Sequence, residues 1–90
     1  MIVRIATESQ YRLPDEDADR LRELDDELVE AIEQDDEERF QDIYDQMLGL
    51  VRTDGEPIEE LVESDVIMPP PDLTFEEAKH GFGVEGLIPE

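Results

Sequence analysis

The sequence contains no cysteine, and this absence removes two common ways of stabilising a small domain. Without a thiol, the chain can form neither a disulfide nor a thiolate metal site. Histidine is also scarce, since His80 is the only one, and the two serines lie in other segments. Nucleophilic catalysis needs a nucleophile beside a base, and the sequence shows no such pairing. We therefore expect a protein that is not an enzyme and binds no cofactor.

Long hydrophobic runs are absent as well. No apolar stretch approaches the roughly 18 residues of a membrane-spanning helix. Residues 1–5 alternate like a short strand and lack the basic and apolar regions of a secretory leader. Ninety residues are enough for one domain. We therefore expect a single domain, over residues 1–90, in the cytoplasm.

Positive charge is the third shortage. Seven Lys and Arg oppose 28 Asp and Glu, which gives a net charge of −21, and Lys79 is the only lysine. Such a surface repels nucleic-acid backbones and anionic lipid heads. Three interpretations compete: adaptation to a salty cytoplasm, which the shortage of lysine favours; a disordered acidic chain, against which the periodicity below argues; and a mimic of DNA.

Two stretches have clear helical periodicity. Apolar residues recur at three- and four-residue steps after Pro14, at Ala18, Leu21, Leu24, Leu28, Ala31 and Ile32, and again at Phe40, Ile43, Tyr44, Met47, Leu48 and Val51. Asp35 and Glu38 have the spacing of a capping box, so the second helix is predicted from about residue 36 to 53, before Gly55. The short polar link between the helices predicts an antiparallel hairpin over residues 14–54.

The flanking segments are less regular. Residues 1–13 predict a β-ribbon of two short strands, which must lie on the helices because a ribbon alone is unstable. In residues 55–90 we expect an irregular segment with one helical turn near Ile58, an edge strand over residues 66–68, and a short helix. Thr74 and Glu77 have capping-box spacing, so that helix should run to about residue 80. The predicted fold class is α+β.

Metal and phosphate motifs are weak. Carboxylates three or four residues apart arise by chance in a chain that is almost one-third acidic. Glu77 and His80 match half of a di-iron motif, which requires a second copy and further glutamates. The glycines at 81, 83 and 86 match the G-x-G-x-x-G pattern of dinucleotide-binding proteins. They lack the preceding strand and the following helix that this motif requires. We predict no catalytic, cofactor or metal residues.

Contact with another protein is what remains. Arg20, Arg22 and Arg39 are the cations available on the flank of the hairpin. Apolar residues outside the helical pattern form a candidate docking edge: Val66, Ile67, Met68, Phe75, Leu87 and Ile88. The alternative, equally weighted, is that these apolar residues cover the hairpin core. A hairpin with such wide apolar faces could also pair with a copy of itself.

An ordered series of short stretches resembles a known family. The stretches are MIVRI at residues 1–5, QYRL at 10–13, LDD at 24–26, LVR at 50–52, GEP at 55–57, SDVI at 64–67, PPPD at 69–72 and GLIP at 86–89. In this order they resemble the PspAA family, small proteins associated with the phage-shock protein PspA, and the resemblance spans essentially the whole chain. The unusual acidity departs from the family and indicates a halophilic archaeon as the source.

The resemblance implies a function but carries over no catalytic or binding residues. PspA is a coiled-coil protein that coats damaged membrane, so the resemblance implies a non-catalytic adaptor or regulator in envelope stress. Membrane contact would then be indirect, through the partner, and direct nucleic-acid binding is not expected. The alternative is an acidic DNA mimic or an antitoxin-like binding protein.

Overall fold

The computed structural model describes residues 1–6, 8–60 and 62–82 of the chain. Three helices and four short strands follow one another in these ranges. They are β1 (Ile2–Ile5), β2 (Gln10–Arg12), α1 (Asp15–Glu33), α2 (Glu37–Asp54), β3 (Glu56–Ile58), β4 (Val66–Met68) and α3 (Phe75–Phe82). The predicted α+β class is confirmed.

The two long helices form the antiparallel hairpin that the periodicity predicts. α1 begins directly after Pro14, and its first turn carries three acids where the helix dipole favours negative charge. Residues buried along both helices coincide with the apolar stripes of the sequence. One charged residue, Asp25 of α1, is buried together with these apolar residues.

The link between the helices differs by one residue from the prediction. Asp36, not Asp35, is the N-cap of α2, and its side chain accepts a hydrogen bond from the Arg39 amide at 3.1 Å. Asp35 instead adopts a positive φ of 58°. Aspartate tolerates this left-handed conformation better than most residues. The chain therefore reverses at Asp35, and the capping position moves to the next aspartate.

The strands form one sheet with the order β3-β2-β1-β4. β2 pairs antiparallel with both β1 and β3, whereas β4 pairs parallel with β1. β4 is an edge strand, as predicted, but β3 was not foreseen, and Ile58 lies in that strand and not in the predicted helical turn. Because β3 and β4 lie at opposite edges, the chain must cross the sheet between them, and residues 59–60 and 62–65 are the described part of that connection.

One core joins the sheet to the helices. Alternation buries Val3 and Ile5 of β1 on the same face as Val66 and Met68 of β4, and these side chains belong to the same hydrophobic cluster as the helix stripes. The hairpin therefore covers one face of the sheet, which we call the inner face. The opposite side, the outer face, carries no helix of the described chain.

The short helix α3 closes one side of this core. Thr74 and Glu77 form the predicted capping box: the Glu77 amide donates to the Thr74 hydroxyl at 3.2 Å, and the Thr74 amide donates to the Glu77 carboxylate at 3.3 Å. The helix continues two residues beyond the predicted end at residue 80. Phe75 packs edge-on against Phe40 of α2, with ring centroids 5.4 Å apart.

Candidate protein-interaction surfaces

The three arginines that the sequence analysis selected already have carboxylate partners. Arg20 pairs with Glu23 at 3.2 Å, and Arg22 pairs with Asp19 at 3.3 Å, each within α1. Arg39 of α2 reaches across the hairpin to Glu30 of α1 at 3.3 Å.

These three arginines do not form one cluster. Arg20 and Arg22 lie about 200° apart around α1 at 100° per residue. Arg39 pairs with Glu30, about 12–15 Å further along the same helix at 1.5 Å per residue. A partner that used any of them would have to exchange an existing ion pair for a new one.

The apolar residues of the predicted docking edge divide into three groups. Val66, Met68 and Phe75 are buried in the core, where they cover the hairpin, as the alternative interpretation expected. Ile67 alone points away from the core and is 65% exposed. Leu87 and Ile88 lie outside the described residues.

The outer face of the sheet holds two arginines that sequence reasoning did not select. Arg4 on β1 is paired in register with Gln10 on β2 and with Ile67 on β4. Arg12 on β2 is paired with Ile2 and with Glu56. Both arginines are exposed, and neither makes an ion pair with any residue in the described ranges. The sequence does indicate the outward position of Arg4, because alternation along β1 puts its side chain on the other face of the sheet from Val3 and Ile5.

Gln10 anchors the segment that crosses the outer face. Its side-chain amide donates to the Val62 carbonyl at 2.5 Å and to the Ser64 hydroxyl at 2.6 Å, and its carbonyl accepts from the Val62 amide at 3.1 Å. Because Gln10 shares a face with Arg4, residues 62–65 lie over the outer face, and we call them the crossing segment. Further along, the Asp65 carboxylate accepts from the Ile2 amide at 2.7 Å. These bonds hold the crossing segment above β1 and β2.

Two clefts border these elements. The larger, of about 460 Å³, lies between the start of α1 and β4 and is lined by Asp15, Asp19, Arg22 and Asp65 among others. The smaller, of about 200 Å³, lies on the outer face and is lined by Arg4, Gln10, Ile58, Glu59 and Glu60 among others. Within the described residues, no group of three or more acidic or histidine side chains has the geometry of a metal site.

The remaining polar contacts near the core are structural. The Tyr44 hydroxyl donates to the Pro69 carbonyl at 2.6 Å, and burial raises the pKa of this tyrosine above its ordinary value. Lys79 of α3 bonds the Asp35 carboxylate, which raises the pKa of the lysine. Glu77, the acid of the Glu-x-x-His pattern, is used in the capping box. These groups fasten α3 and the proline segment to the hairpin and leave no free acid–base pair among them.

Comparison with known proteins identifies the family. The model of the PspAA family, described as PspA-associated protein, matches residues 1–90, the whole chain. The chain belongs to the PspAA family. No curated protein and no solved structure gives a significant match.

The family assignment confirms the resemblance that the short stretches carried. It links this PspAA protein to PspA by the family's description, and the terms PspA-associated and phage shock apply to it on that basis. No helix in the described part of the chain is both long and apolar enough to cross a membrane.

Proposed function

We propose that this PspAA protein is a non-catalytic adaptor or regulator that binds a PspA-type membrane-stress protein by direct contact. The observation that carries the proposal is the match of the whole chain to a family described as PspA-associated. The described residues add surface for such contact, since the hairpin carries exposed ion pairs and Ile67 is exposed on the sheet. We further propose that the protein works in the cytoplasm and reaches the membrane only through its partner.

Several surfaces are available for that contact. On the hairpin they are the ion-paired Arg20, Arg22 and Arg39. On the sheet, Ile67 is exposed, whereas Val66, Met68 and Phe75 lie in the core and would have to leave it to touch a partner. We also propose Leu87 and Ile88 as contact residues, on the ground of their apolar side chains in the sequence. A long helix of a coiled-coil partner could lie along the flank of α1, where ridges of one helix fit grooves of the other.

Co-purification tests the proposal. The tagged protein is produced together with the PspA homologue of the same genome, at a salt concentration high enough to screen non-specific attraction. We expect recovery of the homologue in a fixed ratio from stressed cells. Repeated failure to recover it, with and without envelope stress, would overturn the proposal. Recovery of a basic nucleic-acid-binding protein instead, lost steeply with salt, would indicate the alternative DNA mimic or antitoxin-like role.

A further inference from the structure

The two edges of the sheet differ in how they resist pairing with a further strand. β3 carries Glu56 and Pro57, and a charge or a proline on an edge strand discourages further pairing. β4 consists of Val66, Ile67 and Met68, and no other strand of the described chain pairs with its outer side. An edge strand leaves backbone N–H and C=O groups without a strand partner. The β4 edge is therefore the side of the sheet that is open to an added strand.

This edge is short, so backbone pairing alone would hold a partner weakly. Pro69 follows β4 directly and has no N–H to donate to a ladder. Three residues can form only a few backbone hydrogen bonds with an added strand. Further attraction must come from side chains beside the edge.

The larger cleft lies beside the β4 edge. It has a volume of about 460 Å³ and opens between β4 and the first two turns of α1. Its lining combines apolar side chains with carboxylates, namely Met1, Ala18 and Val66 with Asp15, Asp19 and Asp65. A strand added to β4 would place every second side chain on the inner side of the sheet, next to Val66. Such a side chain would enter this cleft.

Two carboxylates of the cleft have no cationic partner. Neither Asp15 nor Asp65 forms an ion pair with any residue in the described ranges. One oxygen of Asp65 accepts a hydrogen bond from the Ile2 amide at 2.7 Å, which holds the carboxylate in place beside β4. The cleft therefore contains uncompensated negative charge at a fixed position.

The positive groups that line the cleft are already engaged. Arg22 pairs with Asp19 at 3.3 Å. The terminal amino group of Met1 donates to the Leu13 carbonyl at 3.1 Å. Neither group compensates Asp15 or Asp65, so the cleft favours an additional cation from outside.

We propose that the β4 edge and this cleft bind an extended, basic segment of another protein, which adds a strand to the sheet and places an arginine in the cleft. The methylene groups of the arginine would lie on Ala18 and Val66, while its guanidinium binds the carboxylates. Arginine suits this cleft because its planar guanidinium donates two parallel hydrogen bonds to a carboxylate. Main-chain bonds and one side-chain pocket would thus act together, as in other cases of strand addition.

Ile67 indicates the rest of the partner's pattern. It is 65% exposed on the outer face, so the outward side chains of an added strand would lie beside it. Arg4 is the register partner of Ile67 on β1, which disfavours a second cation on this face. The partner segment should therefore alternate basic residues toward the cleft with aliphatic residues outward.

A second copy of the chain fits this surface less well. Two β4 edges paired about a two-fold axis would bring Asp15 and Asp65 of both copies close together, in molecules that each carry a net charge of −21. The proposal goes beyond the PspA hypothesis and does not rest on it, since it follows from the edge and the cleft alone.

Two charge-reversed variants in the same turn of α1 test the cleft. Asp15→Lys places a cation in the cleft, whereas Glu16→Lys changes the net charge equally at an exposed neighbour that does not line it. The probe is a labelled synthetic peptide of alternating Arg and Val, followed by anisotropy at a salt concentration that screens non-specific attraction. We expect the wild type and Glu16→Lys to bind alike, and Asp15→Lys to bind about tenfold more weakly, because charge-assisted hydrogen bonds are lost.

Three controls accompany this comparison. A peptide of alternating Arg and Gly carries the same charge but lacks the β-propensity and the aliphatic contacts, so it should bind more weakly than the Arg–Val peptide. Asp15→Asn and Glu16→Gln repeat the comparison without a new cation and should give the same order of affinities. Circular dichroism verifies that all variants are folded. Amide hydrogen exchange of the wild type with the Arg–Val peptide should slow in residues 66–68 and not in α2.

Four outcomes would overturn the proposal. The Arg–Val peptide does not bind the wild type; it binds the Asp15 and Glu16 variants equally; exchange slows elsewhere than in β4; or gel filtration shows a wild-type dimer that Asp15→Lys alters. The same variants then enter the co-purification with the PspA homologue. If the peptide binds the β4 edge but the homologue is never recovered, the PspA hypothesis fails while the docking site stands.

Discussion

The helical hairpin and the sheet of this protein are held together by different means. The hairpin packs apolar side chains that recur every three or four residues along two adjacent helices. The sheet consists of strands of three or four residues, and the pairing of β1 with the edge strand β4 joins segments 63 residues apart. Polar side chains, above all Gln10 and Asp65, fasten the segment that connects its edges. The hairpin therefore depends on volume and burial, whereas the sheet depends on its buried inner side chains and, in addition, on a few specific hydrogen bonds.

The largest effect should come from the hairpin core. Phe40 is completely buried, stacks on Tyr44 with centroids 5.9 Å apart, and meets Phe75 of α3. Phe40→Ala should lower the free energy of unfolding by about 3–5 kcal/mol, because it removes apolar burial and leaves a cavity. Urea denaturation at one fixed salt concentration measures this loss.

The matched variant lies on the outer face of the sheet. Ile67→Ala removes an aliphatic side chain that is already 65% exposed, so its cost should stay below about 1 kcal/mol. If Phe40→Ala and Ile67→Ala lowered the free energy of unfolding equally, the hairpin core would not contribute more to stability than the outer face of the sheet.

An intermediate effect should come from Gln10. Gln10→Leu keeps most of the side-chain volume but removes the three hydrogen bonds to Val62 and Ser64. The Val62 amide and carbonyl then lose their partner, at a cost of about 1–3 kcal/mol. Relative to the wild type, amide hydrogen exchange in this variant should speed up more in residues 62–68 than in α2.

The control for this variant is Gln46→Leu, an exposed glutamine on α2. It should leave both the unfolding free energy and the exchange of residues 62–68 nearly unchanged, since substitutions at exposed positions are usually within about 0.5 kcal/mol. If the two variants behaved alike, the sheet would not depend on the hydrogen bonds of Gln10.

The smallest effect should come from the cap of α3. Thr74→Ala removes the hydroxyl to which the Glu77 amide donates, and an N-cap replaced by alanine costs about 1 kcal/mol. Thr53→Ala, at an exposed position near the end of α2, should be neutral or slightly stabilising because alanine favours helix. Thermal unfolding of both variants tests the difference, and a loss for Thr53→Ala as large as for Thr74→Ala would contradict it.

The hairpin could be predicted from the sequence because the signal for each helix is local. Apolar spacing, the acids after Pro14 and the stop before Gly55 lie within the elements that they define. The capping residue of α2 was misplaced by one position, since Asp35 and Asp36 both have the right chemistry. Only the backbone decides between them: Asp35 takes the left-handed turn, which leaves Asp36 to cap.

The sheet could be predicted only in part, because pairing between distant strands leaves little local signal. An edge strand over residues 66–68 followed from the prolines after it, but its parallel pairing with β1 did not. β3 contains a proline and two other residues, too few to show a period. The outward placement of Arg4 follows from the alternation of β1, but its proximity to Arg12 does not, since that depends on the register of β1 and β2.

The parallel pairing of β1 with β4 also has a consequence for how the chain folds during synthesis. β1 leaves the ribosome some 60 residues before β4, and at about 5–20 residues per second this interval lasts about 3–12 s. The hairpin lies wholly between the two strands, so it can pack within that interval. β1 can meanwhile pair with β2 alone, which leaves its other side open to chaperones or to a neighbouring nascent chain.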